Sequence, residues 1–167
     1  MTTNDGDWEQ RVAALWAGID GLDEADFHAR MDRLAAERPA GDPLALYQRA
    51  SAQDSTGHSD RAVPLYRLAL QSGLGGGYRR QAVIQLASSL RNLGEAAESV
   101  ALLTAERERG SDELDDALAG FLALALVDCG REREAVALAL TALSGHMTRY
   151  RRSLANYARE IGEAAAR

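Results

Sequence analysis

The chain has 167 residues, about one domain's length and enough to bury a core without disulfide or metal staples. Apolar residues make up 46% of it but aromatics only 5%, and its net charge is −6 although nineteen residues are basic, all of them arginine. That profile favours helices over a sheet sandwich, excludes a side-chain Schiff base and a lysine-dependent phosphate loop, and argues against general nucleic-acid affinity.

The opening "MTTNDGDWEQ" is acidic and polar, the reverse of a secretory leader. Next, "DWEQRVAALWAGI" sets Trp8, Val12, Leu15, Trp16 and Ile19 on one helical stripe, and Phe27, Met31 and Leu34 form a second. Pro39, Gly41 and Pro43 then break the chain. Residues 1–42 are therefore predicted to be an N-terminal helical hairpin or cap.

From residue 43 the sequence repeats. Gly57, Gly94 and Gly130 align "GHSDRAVPLYRLAL", "GEAAESVALLTAER" and "GREREAVALALTAL". Ala62-Val63, Ser99-Val100 and Ala135-Val136 correspond, as do Leu65, Leu102 and Leu138. The apolar spacing is helical on both sides of each glycine, so each unit reads as two helices joined at a left-handed turn. Such a unit cannot bury its apolar stripe alone, but stacked units can. Residues 43–145 give three helix pairs. "TRYRRSLANYAREIGEAAAR" gives a last amphipathic helix, so residues 146–167 are predicted to cap one continuous domain.

Charge is banded along these units. Residues 61–110 carry seven Arg against four Glu, 111–145 two Arg against seven Asp and Glu, and 146–167 five Arg against two Glu. Such banding can steer a charged partner. Gly73, Gly75, Gly76 and Gly77 precede a helix and Arg79-Arg80, but no strand leads into them and no lysine follows, so the cluster is predicted to be an inter-repeat hinge. His28, His58 and His146 are far apart in the sequence and lack metal-ligand spacing, so they read as surface or core histidines. Cys129 is expected to be a buried structural thiol, and a lone cysteine with no apolar run near ~20 residues points to the cytoplasm. Asp112, Glu113, Asp115 and Asp116 suit a helix N-terminus without any catalytic role. Asp54 and Asp128 near helix ends read as solvated turn residues. No catalytic residue, metal site or cofactor is predicted.

The large–small alternation resembles tetratricopeptide repeats. It is carried by Leu86-Ala87, Leu90, Leu93-Gly94 and Ser99-Val100, then by Leu122-Ala123, Leu126, Gly130 and Ala135. The copy before them has Ala50, Gly57, Ala62, Tyr66 and Ala69, with Gln53 where an apolar residue is usual. "RRQAVIQLASSLRNLG" further resembles small bacterial tetratricopeptide proteins of unassigned activity. The resemblance implies an all-α, right-handed helical-repeat solenoid acting as a non-catalytic protein-interaction scaffold. In that family the first helix of each pair lines a concave groove. On this chain the groove would be lined by Gln81, Ile84, Gln85, Ser88, Arg91 and Asn92, with Arg149, Arg152, Asn156 and Arg159 from the last helix. Tyr47, Ser51 and Asp54 would join from the preceding pair, and Ala117, Gly120, Leu124 and Val127 would add an apolar patch. Of these, Gln81, Gln85, Ser88, Arg91, Asn92, Arg149, Arg152 and Asn156 are the candidate partner-binding residues. They suit a protein or peptide bearing acidic groups or a free carboxylate. Tyr47 and Ser51 stand where carboxylate-clamp members carry lysine and asparagine, so such a clamp is incomplete. The alternatives are a solvated polar face, a homo-oligomeric scaffold such as a homodimer, or a small-anion or RNA binder using Arg79, Arg80, Arg149, Arg151 and Arg152.

Overall fold

Three glycines set the architecture. Gly57, Gly94 and Gly130 have φ of 87°, 86° and 71°, the left-handed region that an L side chain enters only at a cost. After each, the next amide reaches back five residues to close the turn: His58 N donates to Gln53 O, Glu95 N to Leu90 O and Arg131 N to Leu126 O, all at 2.9 Å. These bonds satisfy carbonyls that a helix end leaves open and turn the chain back on itself. Gly73 (φ 88°) closes a fourth turn of this type through Leu74 N and Ala69 O.

The computed structural model describes residues 3–165. The first two residues of the acidic opening and the last two of the final amphipathic segment lie outside them. In chain order the helices are α1 (Thr3–Ala17), a 3-10 turn (Ile19–Gly21), α2 (Glu24–Ala36), α3 (Pro43–Ser55), α4 (Ser59–Gln71) and α5 (Gly76–Asn92). They continue as α6 (Ala96–Arg109), α7 (Asp115–Asp128), α8 (Glu132–His146) and α9 (Arg151–Ala165). No strand occurs among the described residues. Consecutive helices pack on one another, so the chain is an all-α helical repeat. Helix starts follow local chemistry: Asp23 and Asp42 accept from Asp26 N and Ala45 N at 2.9 Å, and Pro43 opens α3 where its missing N–H costs nothing. Two compact units divide between Ala82 and Val83, inside α5.

In the first unit α1 packs on α2, α2 on α3 and α3 on α4. The core gathers Trp8, Val12, Leu15, Phe27, Met31, Ala35, Ala45 and Ala52. Both predicted N-terminal stripes are in it. Trp8 Nε1 donates to Leu34 O at 2.7 Å, and Trp16 Nε1 to Gln48 Oε1 at 2.9 Å, so each indole buries its ring without stranding its donor. Trp16 meets Phe27 edge-on at 5.1 Å.

In the second unit α6 packs on α7, α7 on α8 and α8 on α9. Ile84, Ala87, Leu103, Leu118, Leu122, Ala123, Leu126 and Ala135 form its core. Most are alanine or leucine at helical spacing. A Cβ built on Gly162 of α9 would stand 3.4 Å from the Ala137 Cβ of α8, so small residues let these two backbones approach closely.

Candidate functional site

Helix α7 reads "DDALAGFLALALVD", apolar over far more than the stripe one packed face needs. Leu118, Leu122, Ala125 and Leu126 go inward. The opposite stripe stays open, with Ala117 and Gly120 exposed and Phe121, Leu124 and Val127 at 36%, 46% and 47% relative exposure. The predicted small apolar patch is therefore solvent-facing, and Phe121 extends it.

Helix α5 carries the predicted polar row. Gln81, Gln85, Ser88 and Asn92 recur at spacings of four and three, which keeps them on one side of the helix. Gln85 and Ser88 are half-buried and Asn92 is exposed. The Arg91 guanidinium forms an ion pair with Asp128, tying the end of α5 to the end of α7. Asp128 is therefore not a free turn carboxylate, and Arg91 is not an uncommitted cation.

Gln81 belongs to the first unit. Its Oε1 accepts from the Tyr47 hydroxyl at 3.0 Å. Tyr47 and Ser51, expected to line an open groove, are 5% and 7% exposed instead. The physical reason is an aromatic cluster in which Tyr47 lies 5.5 Å from Tyr78 and 6.2 Å from Tyr66. Tyr66 donates to Ser51 Oγ, and burial pushes the Tyr66 phenol up, so it stays protonated there. This corner is core.

The second predicted cationic group lies at the chain's far end. Arg149 sits in the connector before α9, beside Tyr150, whose φ of 63° is the only positive value on a non-glycine among the described residues. Arg152, Asn156 and Arg159 share one side of α9, and Asn156 Oδ1 accepts from Arg159 at 3.2 Å. Arg149 and Arg152 are exposed. The two predicted groups thus occupy α5 and the α9 region, separated in sequence by α6 to α8.

One other expectation is corrected, and the histidines find local partners. Cys129 is exposed, because it caps the C-terminus of α7 rather than continuing its inner stripe. His28 and His58 are neighbours, with ring centroids 6.0 Å apart, because α2 packs beside the turn that opens α4. Their nitrogens serve local bonds: His28 Nε2 lies 2.9 Å from Thr56 Oγ1, and His58 Nε2 donates to Glu24 Oε1 at 2.5 Å. That bond from His58 holds the Glu24 carboxyl below its ordinary range. His146 pairs with Asp116 rather than standing alone. Among the described residues no group of three or more His, Cys, Asp or Glu has a metal-holding arrangement.

Stacked helix hairpins with an open helix face define an α-helical repeat protein. Residues 43–161 match the family described as Tetratrico peptide repeat, well over half of the chain, and the protein belongs to that family. Its repeats generally mediate binding to proteins or peptides and are generally non-catalytic. No curated relative and no solved structure matches the chain at comparable significance. No helix among the described residues is long and apolar enough to cross a membrane.

Proposed function

We propose that the protein is a non-catalytic cytoplasmic adaptor that takes a peptide or protein segment on the α5–α7 face of its second unit. The carrying observation is the open apolar stripe of Phe121, Leu124 and Val127, at whose end Asp128 pairs with Arg91 of α5. Exposed apolar patches rimmed by polar residues mark interaction sites more often than chance allows. In this reading Phe121 and Leu124 supply contact area, while Gln85, Ser88 and Asn92 offer donors and acceptors to the segment's backbone. Arg91 would exchange Asp128 for an acidic group or free carboxylate of the partner, a bidentate pairing that a guanidinium is shaped for. Arg149, Arg152 and Asn156 form a second cationic group for an acidic stretch of the same partner. Residues 1–42 and 146–167 serve as caps to the three repeat pairs between them.

The test is capture from the native host followed by purified-partner binding. Phe121→Ser with Leu124→Ser, and separately Arg91→Ala with Arg152→Ala, are expected to weaken binding of the same partner while circular dichroism is unchanged. Undiminished binding by both double variants removes the reading.

A further inference from the structure

Helix α8 has three sides. Ala135 and Leu138 join Leu118 and Leu122 of α7 in the core, and Ala137 turns to α9, whose Gly162 backbone comes close to it. Val136, Leu140 and Leu143 fall on the third side, about 60–120° round the helix from Ala137 and away from Leu138. Helix α9 is built alike: Ala158 and Gly162 go against α8, and Leu154, Tyr157 and Ile161 run to one side of them. Ala137 near the start of α8 meets Gly162 near the end of α9, so the two helices are antiparallel. On antiparallel helices an equal turn in the same sense brings both rows to one side of the hairpin, the side away from α7.

The face so formed is open and carries no charge in either row. Val136, Leu143, Tyr150 and Tyr157 are 46%, 52%, 75% and 62% exposed, and Leu140, Leu154 and Ile161 are half-buried. Tyr150 O accepts from Leu154 N at 3.0 Å, so the α9 row carries on to Tyr150. Its members, Tyr150, Leu154, Tyr157 and Ile161, are spaced four, three and four, the spacing of a seam between helices. Such a row reads the same when reversed. An antiparallel copy would set Tyr150 over the second copy's Ile161 and Leu154 over its Tyr157, an aromatic ring against an aliphatic chain in every layer. On α8, Leu140 would lie over the second copy's Leu143. The size agrees as well. Two 15-residue helices, about 22 Å long and about 8–10 Å apart, present roughly 22 by 18 Å. Two such faces come to about 800 Å² flat, and with side chains standing out from them reach the roughly 1,000 Å² that a specific interface needs.

We infer that two copies of the chain pair through this face, the α8–α9 hairpin of one lying antiparallel on that of the other as a four-helix bundle. The self-matching rows select a second copy over an unrelated helix. An interface of this size is a modest one, so the dimer forms and dissociates with concentration. The α7 stripe lies outside it, and the dimer would present the proposed partner face twice.

Sedimentation velocity of the purified full chain is the test, and the dimer fraction is expected to rise across the micromolar range. A monomer throughout overturns the inference. Leu143→Glu with Tyr157→Glu changes two exposed positions, so circular dichroism should be unaltered while dimerisation weakens at least about tenfold. A dimer that survives this change lies elsewhere and overturns the inference too. Chains carrying Tyr157→Glu alone and Tyr157→Arg alone should each be monomeric, and mixing them should restore the dimer, because two-fold pairing brings the two positions close together. No recovery on mixing refutes the antiparallel arrangement. Phe121→Ser with Leu124→Ser should leave the dimer intact whatever it does to partner capture; dissociation there would move the interface to α7 and overturn the inference.

Discussion

The two units hide their apolar surface by different means. The first is pinned by large aromatics whose polar tips are bonded inside: Trp8 to Leu34, Trp16 to Gln48, Tyr47 to Gln81 and Tyr66 to Ser51. The second relies on alanine and leucine, and among the described residues it leaves Leu93, Phe121, Leu124, Val127, Val136, Leu143, Tyr150 and Tyr157 open. Among the described residues of the first unit, Leu68 alone is comparably open. A polar-tipped aromatic fits one geometry, so it fixes how its helix sits. Small residues permit close helix approach but cannot cover their neighbours. Rigidity thus concentrates in the first unit and available surface in the second.

Removing an aromatic pin tests that contrast hardest. Trp8→Ala empties a site that is 2% exposed, removes one of the donors to the Leu34 carbonyl and removes the ring over which the Arg38 guanidinium lies at 5.0 Å. The expected loss is about 3–5 kcal/mol, measured by urea unfolding followed at 222 nm, with Trp16 emission reporting the first unit alone. If emission and helicity shift together, the units unfold as one; if emission shifts first, the pins serve the first unit only. Gly94→Ala probes the second unit through its backbone. Open space surrounds the added methyl, but φ remains 86°, so the change costs about 1–2 kcal/mol and isolates conformational strain from packing.

A smaller effect carries a pH signature. Partial burial pushes the Asp42 carboxyl up, yet the Ala45 N–H and the Arg38 guanidinium outweigh it and hold the group below its ordinary value. A depressed carboxyl contributes stability that is fully present above its unfolded value and is lost as pH falls through the folded one. Asp42→Ala should therefore cost about 1 kcal/mol at neutral pH, and the gap to the parent protein should close as pH drops through the acid range. A gap that stays constant to low pH would mean that the cap acts through the Ala45 bond in either protonation state.

The repeat was legible because a glycine that must adopt positive φ marks a turn independently of its surroundings. Gly57, Gly94 and Gly130 needed only each other's spacing to be read. The N-terminal stripes were equally plain, since periodicity along one helix decides which side of it is buried. What escaped notice depends on a second helix. Tyr47 and Ser51 occupy positions that would face a groove, but Tyr66 and Tyr78 close over them. Arg91 looked available because Asp128 is far away in sequence, and His28 and His58 looked separate for the same reason. The open stripe was reached only through the resemblance, which set Ala117, Gly120, Leu124 and Val127 on the groove side; the apolarity of α7 beyond one packed face was a second signal for it in the sequence.

The least destabilising change is the one that separates surface from scaffold. Leu124→Ser replaces a side chain that is 46% exposed, so it forfeits little buried area and should alter stability by less than about 0.5 kcal/mol. The same substitution at Leu122, two residues away and 3% exposed, creates a cavity and buries an unpartnered hydroxyl, which should cost several-fold more. Comparing their urea midpoints measures how sharply α7 divides into an inward face and an outward one. Near-equal losses would mean that Leu124 is covered in solution, by a second copy or by a rearranged neighbour, and the open stripe would no longer be surface held ready for a partner.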